Sequence, residues 1–177
     1  MMIDDTIALL RRTPAALDAL LRDLPDIWTM RNEGGNSWTV FDVVGHLIDG
    51  EYTDWIPRAQ RILEFGESKP FEPYDRSGHE QVTRGKSLGQ LLDEFAHARA
   101  QSLSTLRAMN LQAADLERRG LHPGLGAVTL SQLLSCWAAH DANHLHQIAR
   151  IMAHQYRDAV GPWHAYLGVM HCNGHGA

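Results

Sequence analysis

Apolar residues recur at three- and four-residue spacing along most of this chain, and four stretches read as amphipathic helices. The first runs from about Asp5 to Asp23, with Ile3, Ile7, Leu10, Leu17, Leu20 and Leu21 on one stripe. Pro14 predicts a kink or restart within it, because proline lacks an amide donor and crowds the preceding turn. The second opens at Thr39, which Asp42 completes as a capping pair. It carries Val40, Val43, Val44, Leu47, Ile48 and Trp55 to about Glu64, with a kink expected at Pro57 and a stop at Gly66. Ser87 with Gln90 opens the third helix, to about Ala108, and Thr129 with Gln132 opens the fourth, to about His154.

The connections are set by their turn residues. Pro25 to Ser37 holds Gly34-Gly35-Asn36 and reads as a loop. Glu67 to Lys86 is polar, with Pro70, Pro73 and Gly78, and reads as a long crossover loop, a candidate lid. A short turn is expected at Gln112 to Glu117 and a loop at Arg119 to Gly124. No segment alternates as a strand would. The expected fold is therefore an all-α four-helix bundle with a long crossover between the second and third helices. Residues 1–157 form the bundle. Residues 158–177, with Gly161, Pro162 and Gly174, form an irregular tail with one short helix near Trp163 to Met170.

Composition narrows the function classes. A length of 177 residues suits one domain. A net charge of -5 supplies no basic footprint, so no nucleic-acid partner is expected. No apolar run approaches the roughly 18 residues of a membrane span, so no membrane partner is expected either. The acidic N-terminus lacks the basic start of a signal peptide, which makes the cytoplasm the default. Two cysteines, Cys136 and Cys172, fit a reducing compartment. Trp28, Trp55 and Trp163 fall near helix ends or loops, where either a second copy in a homodimer or the chain's own core would cover them.

Histidine changes the picture most, with eleven in the chain. His140 and His144 stand one turn apart on the fourth helix, beside the buried stripe of Leu130, Leu133, Trp137, Ile148 and Ile151. Chance alone supplies roughly 0.7 such pairs at this histidine content, so the spacing counts only because of where it falls. A second pair, His171 and His175, lies in the glycine-rich tail and carries no such argument. Two core-facing imidazoles need partners for their nitrogens. A divalent metal supplies one, and so does a hydrogen-bonded core pair. His46, inside the second helix, is the third candidate ligand, and a satisfied core histidine is the alternative for it. Gly45 and Gly50 beside it would leave room for a metal and a substrate.

Trp38-Thr39-Val40, His46-Leu47, Glu51 and Arg58 resemble the second helix of the DinB-like superfamily of small metal-binding bundles. Arg119, His122-Pro123, Gly126, Val128-Thr129-Leu130, Trp137, His140-Asp141, Asn143-His144 and Gln147-Ile148 resemble its closing segment. The likeness runs in order through residues 5–155 and leaves the tail outside. It implies a metal triad of His46, His140 and His144. It also implies a metal-dependent transferase that uses a low-molecular-weight thiol, such as bacillithiol or mycothiol, on a small-molecule substrate. A hydrolase using metal-bound water and a non-enzymatic metal-binding stress protein need the same triad. Three imidazoles suit zinc, nickel, iron and copper alike. Catalytic residues beyond the triad are not legible. Asp141 and Glu51 are candidates to accept an imidazole N–H, Gln147 to touch substrate, and Arg58, Arg119 and His122 to hold a carboxylate or to anchor loops. Cys136 is a possible soft fourth ligand or a small buried hydrophobe.

Overall fold

The computed structural model describes residues 3–172 and shows an all-α four-helix bundle. The first arm is α1 (Ile3–Leu10) and α2 (Thr13–Leu21), broken at Arg11-Arg12, with Pro14 in the first turn of α2. That is where proline's missing donor costs nothing. A short helix, α3 (Asp26–Thr29), interrupts the expected loop. The second arm is α4 (Val40–Thr53) and α5 (Trp55–Phe65), which starts from a complete Thr39–Asp42 capping box. Its break falls at Asp54, three residues before Pro57, because the proline ring collides with the carbonyl four residues back, that of Thr53. Gly66 closes the arm at φ 58°, a left-handed turn that suits glycine. The third and fourth arms are α7 (Leu88–Ala108) and α9 (Leu130–His154), each opened by the expected capping box, at Ser87–Gln90 and Thr129–Gln132.

Three connections differ from the sequence reading. The crossover is packed structure: a 3-10 turn at Gly66–Ser68, buried Phe71, and α6 (Gly78–Thr83), which lies along α4. The space beside Gly45 is filled by this helix, since a Cβ there would sit 2.4 Å from Thr83 Cγ2. Gly50 likewise faces the Trp55 indole, so neither glycine opens room for a ligand. After α8 (Ala113–Leu116), the expected loop is an antiparallel hairpin, β1 (Arg119–His122) with β2 (Gly126–Thr129). It is too short for alternation to register in sequence. The tail carries 3-10 turns at Gly161–Tyr166 and Gly168–Met170, the second against α9. His175 lies outside the described residues. Of the three tryptophans, Trp55 is buried, Trp28 packs on Tyr156, and Trp163 is exposed.

The core has two apolar halves. One gathers Ile7, Leu10, Trp55, Leu103, Leu106, Leu133 and Trp137, the other Leu17, Val43, Leu47, Phe95, Ile148 and Ile151. Between them each arm contributes one polar residue: Thr13, Glu51, Arg99 and Asp141. Arg99 is 1% exposed and uses all five guanidinium N–H groups. Nε and Nη2 donate to Glu51 Oε1 at 2.9 and 2.7 Å. Nη1 and Nη2 donate to the Asp141 carboxylate at 2.6 and 2.9 Å, and Nη1 also to the Leu10 carbonyl at 2.7 Å. Thr13 donates to Asp141, and Trp137 Nε1 to Glu51. This layer crosslinks all four arms at the bundle's waist.

Candidate metal centre

His46 projects from α4 in the half of that helix that also buries Val43, Val44, Leu47 and Ile48. His140 and His144 project from α9 one turn apart. The three imidazoles meet. Nε2 of His140 lies 3.0 Å from Nε2 of His46 and 3.0 Å from Nε2 of His144. One nitrogen from each residue falls within 4.8 Å of the other two. His46 and His144 are buried and His140 half-buried. Trp38, Tyr74 and Trp55 wall the cluster, with ring centroids 4.9 and 5.6 Å from His46 and 5.0 Å from His140 respectively.

The outer nitrogens fix what the inner ones present. His144 Nδ1 lies 2.7 Å from Gln147 Oε1, an acceptor, so Nδ1 carries the proton and Nε2 a bare lone pair. Tyr74 donates its single proton to Asp49 Oδ2 at 2.6 Å, so its oxygen accepts from His46 Nδ1–H at 3.0 Å. His46 Nε2 is thereby bare as well. The one N–H that His140 can turn inward satisfies one of these lone pairs and leaves the other opposed. Among the described residues Nδ1 of His140 is buried without a partner, so this ring gains no compensating bond on its far side. A cation at the centre would satisfy all three nitrogens, which is the donor set of an open divalent-metal site. Burial, then the neighbouring imidazoles, push His46 down to about 3 and His140 to about 2. Both are neutral at physiological pH, the form that ligates. Burial, then the bond to Asp49, raises the Tyr74 phenol and keeps it a donor.

The other candidates serve other partners. Asp141 and Glu51 pair with Arg99 and not with an imidazole of the described residues. Gln147, read as a substrate contact, is the partner of His144. Arg58 lies 2.6 Å from Asp54 and over the Phe71 ring, while Arg119 pairs with Glu67 at the surface. His122 packs T-shaped with Phe71 and accepts from the hairpin amides of Gly124 and Leu125. Cys136 is exposed and stands outside the imidazole cluster. The sequence reading missed Asp49 and Tyr74. Asp49 carried a signal, since a carboxylate three residues after His46 shares its helix face. Tyr74, in an aperiodic segment, carried none.

Comparison with known proteins agrees with this geometry. A family model described as the DinB superfamily matches residues 9–148, which include all three histidines. A protein of Oceanobacillus iheyensis provisionally named a metal-dependent hydrolase is 29% identical over 152 residues, 84% of this chain and 81% of its own length. Among solved structures, YfiT from Bacillus subtilis is described as a probable metal-dependent hydrolase with an unusual four-helix bundle topology. It aligns with a TM-score of 0.72 at 23% identity over 89% of this chain and 87% of its own, a likeness of fold.

Proposed function

This chain belongs to the DinB superfamily, and from that premise we propose that it is a divalent-metal-dependent enzyme whose ion is held by His46, His140 and His144. The observation that carries the reading is the convergence of three imidazoles, two of which, His46 and His144, have outer partners that turn bare lone pairs inward. A metal there supplies Lewis-acid chemistry, lowering the pKa of a coordinated nucleophile. Burial keeps His46 and His140 neutral, Tyr74 and Gln147 orient His46 and His144, and the rings of Trp38, Trp55 and Tyr74 shield the cluster from bulk water. Protein purified without chelator should carry about one metal per chain, and His140→Ala should lose it. Equal metal content in the two would remove the reading.

The favoured nucleophile is a low-molecular-weight thiol, transferred to a small electrophile. Of the nearby carboxylates, Asp141 and Glu51 pair with Arg99 and Asp49 accepts from Tyr74, and only Glu51 Oε2 lacks a partner among these three. A thiol ionises near pH 8.5 and needs less help than water to lose its proton. Hydrolysis is the second reading, favoured by the names that the Oceanobacillus and Bacillus proteins carry. A panel of thiols with an electrophilic probe, run with and without metal beside an ester-hydrolysis assay, separates the two. Turnover of the ester without thiol would reject thiol transfer.

A further inference from the structure

We propose that Tyr74 is a positioning residue for this centre: its hydroxyl holds His46 in the tautomer that ligates, and ties metal binding to the docking of the crossover that carries it. The inference rests on the metal reading above. The three ligands differ in what orients them. His144 is bonded to Gln147 of its own helix, three residues on, and His140 has no partner at Nδ1 among the described residues. His46 is held at Nδ1 by a residue from elsewhere in the chain, Tyr74, across a 28-residue separation.

The chain Asp49–Tyr74–His46 has one self-consistent proton arrangement. Asp49 and His46 share a face of α4, three residues apart. The carboxylate can only accept, so the phenol proton lies toward Asp49 and the phenol oxygen is left to accept from His46 Nδ1–H. Nε2 is then the free electron pair that points into the imidazole cluster.

The crossover is built around this chain of bonds. Gly78, at the start of α6, sits so close to the Asp49 carboxylate that a Cβ would fall 2.7 Å from Oδ2 and 2.8 Å from Cγ and Oδ1. Gly45, next to His46 in α4, admits Thr83 from the end of α6. His79 is buried, and its ring lies 4.7 Å from Trp38, which in turn lies 4.9 Å from His46. The crossover thus reaches His46 directly through Tyr74 and indirectly through Trp38. A metal that favours the Nδ1–H tautomer must by linkage favour the docked crossover, and the docked crossover must favour the metal to the same degree.

Removing the outer partner of a metal-bound imidazole typically weakens metal binding about 10–100-fold. The test uses the full chain and its Tyr74→Phe variant, which keeps the ring and removes the hydroxyl, with zinc as the probe. Competition with a chromogenic chelator should show Tyr74→Phe binding one zinc at about 10–100-fold lower affinity than wild type. Amide exchange over residues 70–83 should slow on zinc addition in wild type and slow less in the variant. Long-range proton–nitrogen spectra of the metal-free protein should report His46 protonated at Nδ1 in wild type and a tautomer mixture in Tyr74→Phe. If Tyr74→Phe unfolds, Asp49→Asn serves instead, with a smaller loss of zinc affinity and the same spectral readout. Unchanged affinity together with an unchanged tautomer would overturn the role of Tyr74. Failure of wild type to bind zinc, nickel or iron would instead sink the metal reading, and the spectra would still decide whether Tyr74 sets the tautomer.

Discussion

Replacing Arg99 with methionine should be among the most damaging single changes in this protein, for a reason visible at the bundle's waist. Methionine roughly keeps the length of the aliphatic stem but removes the guanidinium, whose carbon lies 4.9 and 5.3 Å from the Phe95 and Trp137 rings. It removes five donated hydrogen bonds and leaves two carboxylates, Glu51 and Asp141, side-chain exposures 0% and 2%, with no counter-charge. Breaking a buried ion pair from one side costs about 3–5 kcal/mol. Against a typical domain stability of about 5–15 kcal/mol, that is a large fraction. At about 2–4 °C per kcal/mol for a chain of this size, the midpoint should fall by roughly 6–20 °C. Guanidinium unfolding followed by tryptophan fluorescence, in chelator so that metal plays no part, measures it. The midpoint concentration should drop while the m-value stays unchanged. Replacing all three with apolar residues, Arg99→Met with Glu51→Leu and Asp141→Leu, should recover most of the loss, since it is the uncompensated charge that is costly. A single Arg99→Met variant within about 1 kcal/mol of wild type would refute the reasoning, because the layer would then not be what holds the arms in register.

Two further outcomes rest on burial and close packing elsewhere in the bundle. Metal-free protein should lose stability as the pH falls below 6.5, because His46 and His140 refuse in the folded state, down to about 3 and about 2, protons that they accept when unfolded. The sign is stability present above 6.5 and lost toward 3, at about 2.7 kcal/mol per pH unit for two protons, and a flat profile between pH 6 and 4 would count against it. Gly45→Ala should destabilise despite alanine's helix preference of about 1 kcal/mol, because its Cβ meets Thr83 Cγ2. In a Thr83→Ser background, where that methyl is gone, the same change should turn neutral or stabilising in thermal melts.

The sequence alone determined the parts of this protein that are written locally. The capping pairs Thr39–Asp42, Ser87–Gln90 and Thr129–Gln132 opened their helices where they stood, because a cap is a contact between residues three apart. His140 and His144 were legible because helical geometry puts residues four apart on one face and the apolar stripe says which face is inside, while His46 joined them through the resemblance to the DinB-like superfamily. Only the tertiary structure decided what surrounds them. Asp141 follows His140 directly, yet one step along a helix turns it by about 100° toward Arg99, which lies 42 residues away. Glu51 meets the same guanidinium across 48 residues, and Tyr74 reaches His46 from a crossover with no periodicity to announce it. Partners of that kind are chosen by which buried donors and acceptors the packed arms bring within about 3 Å, a property of the assembled bundle and of no stretch of its sequence.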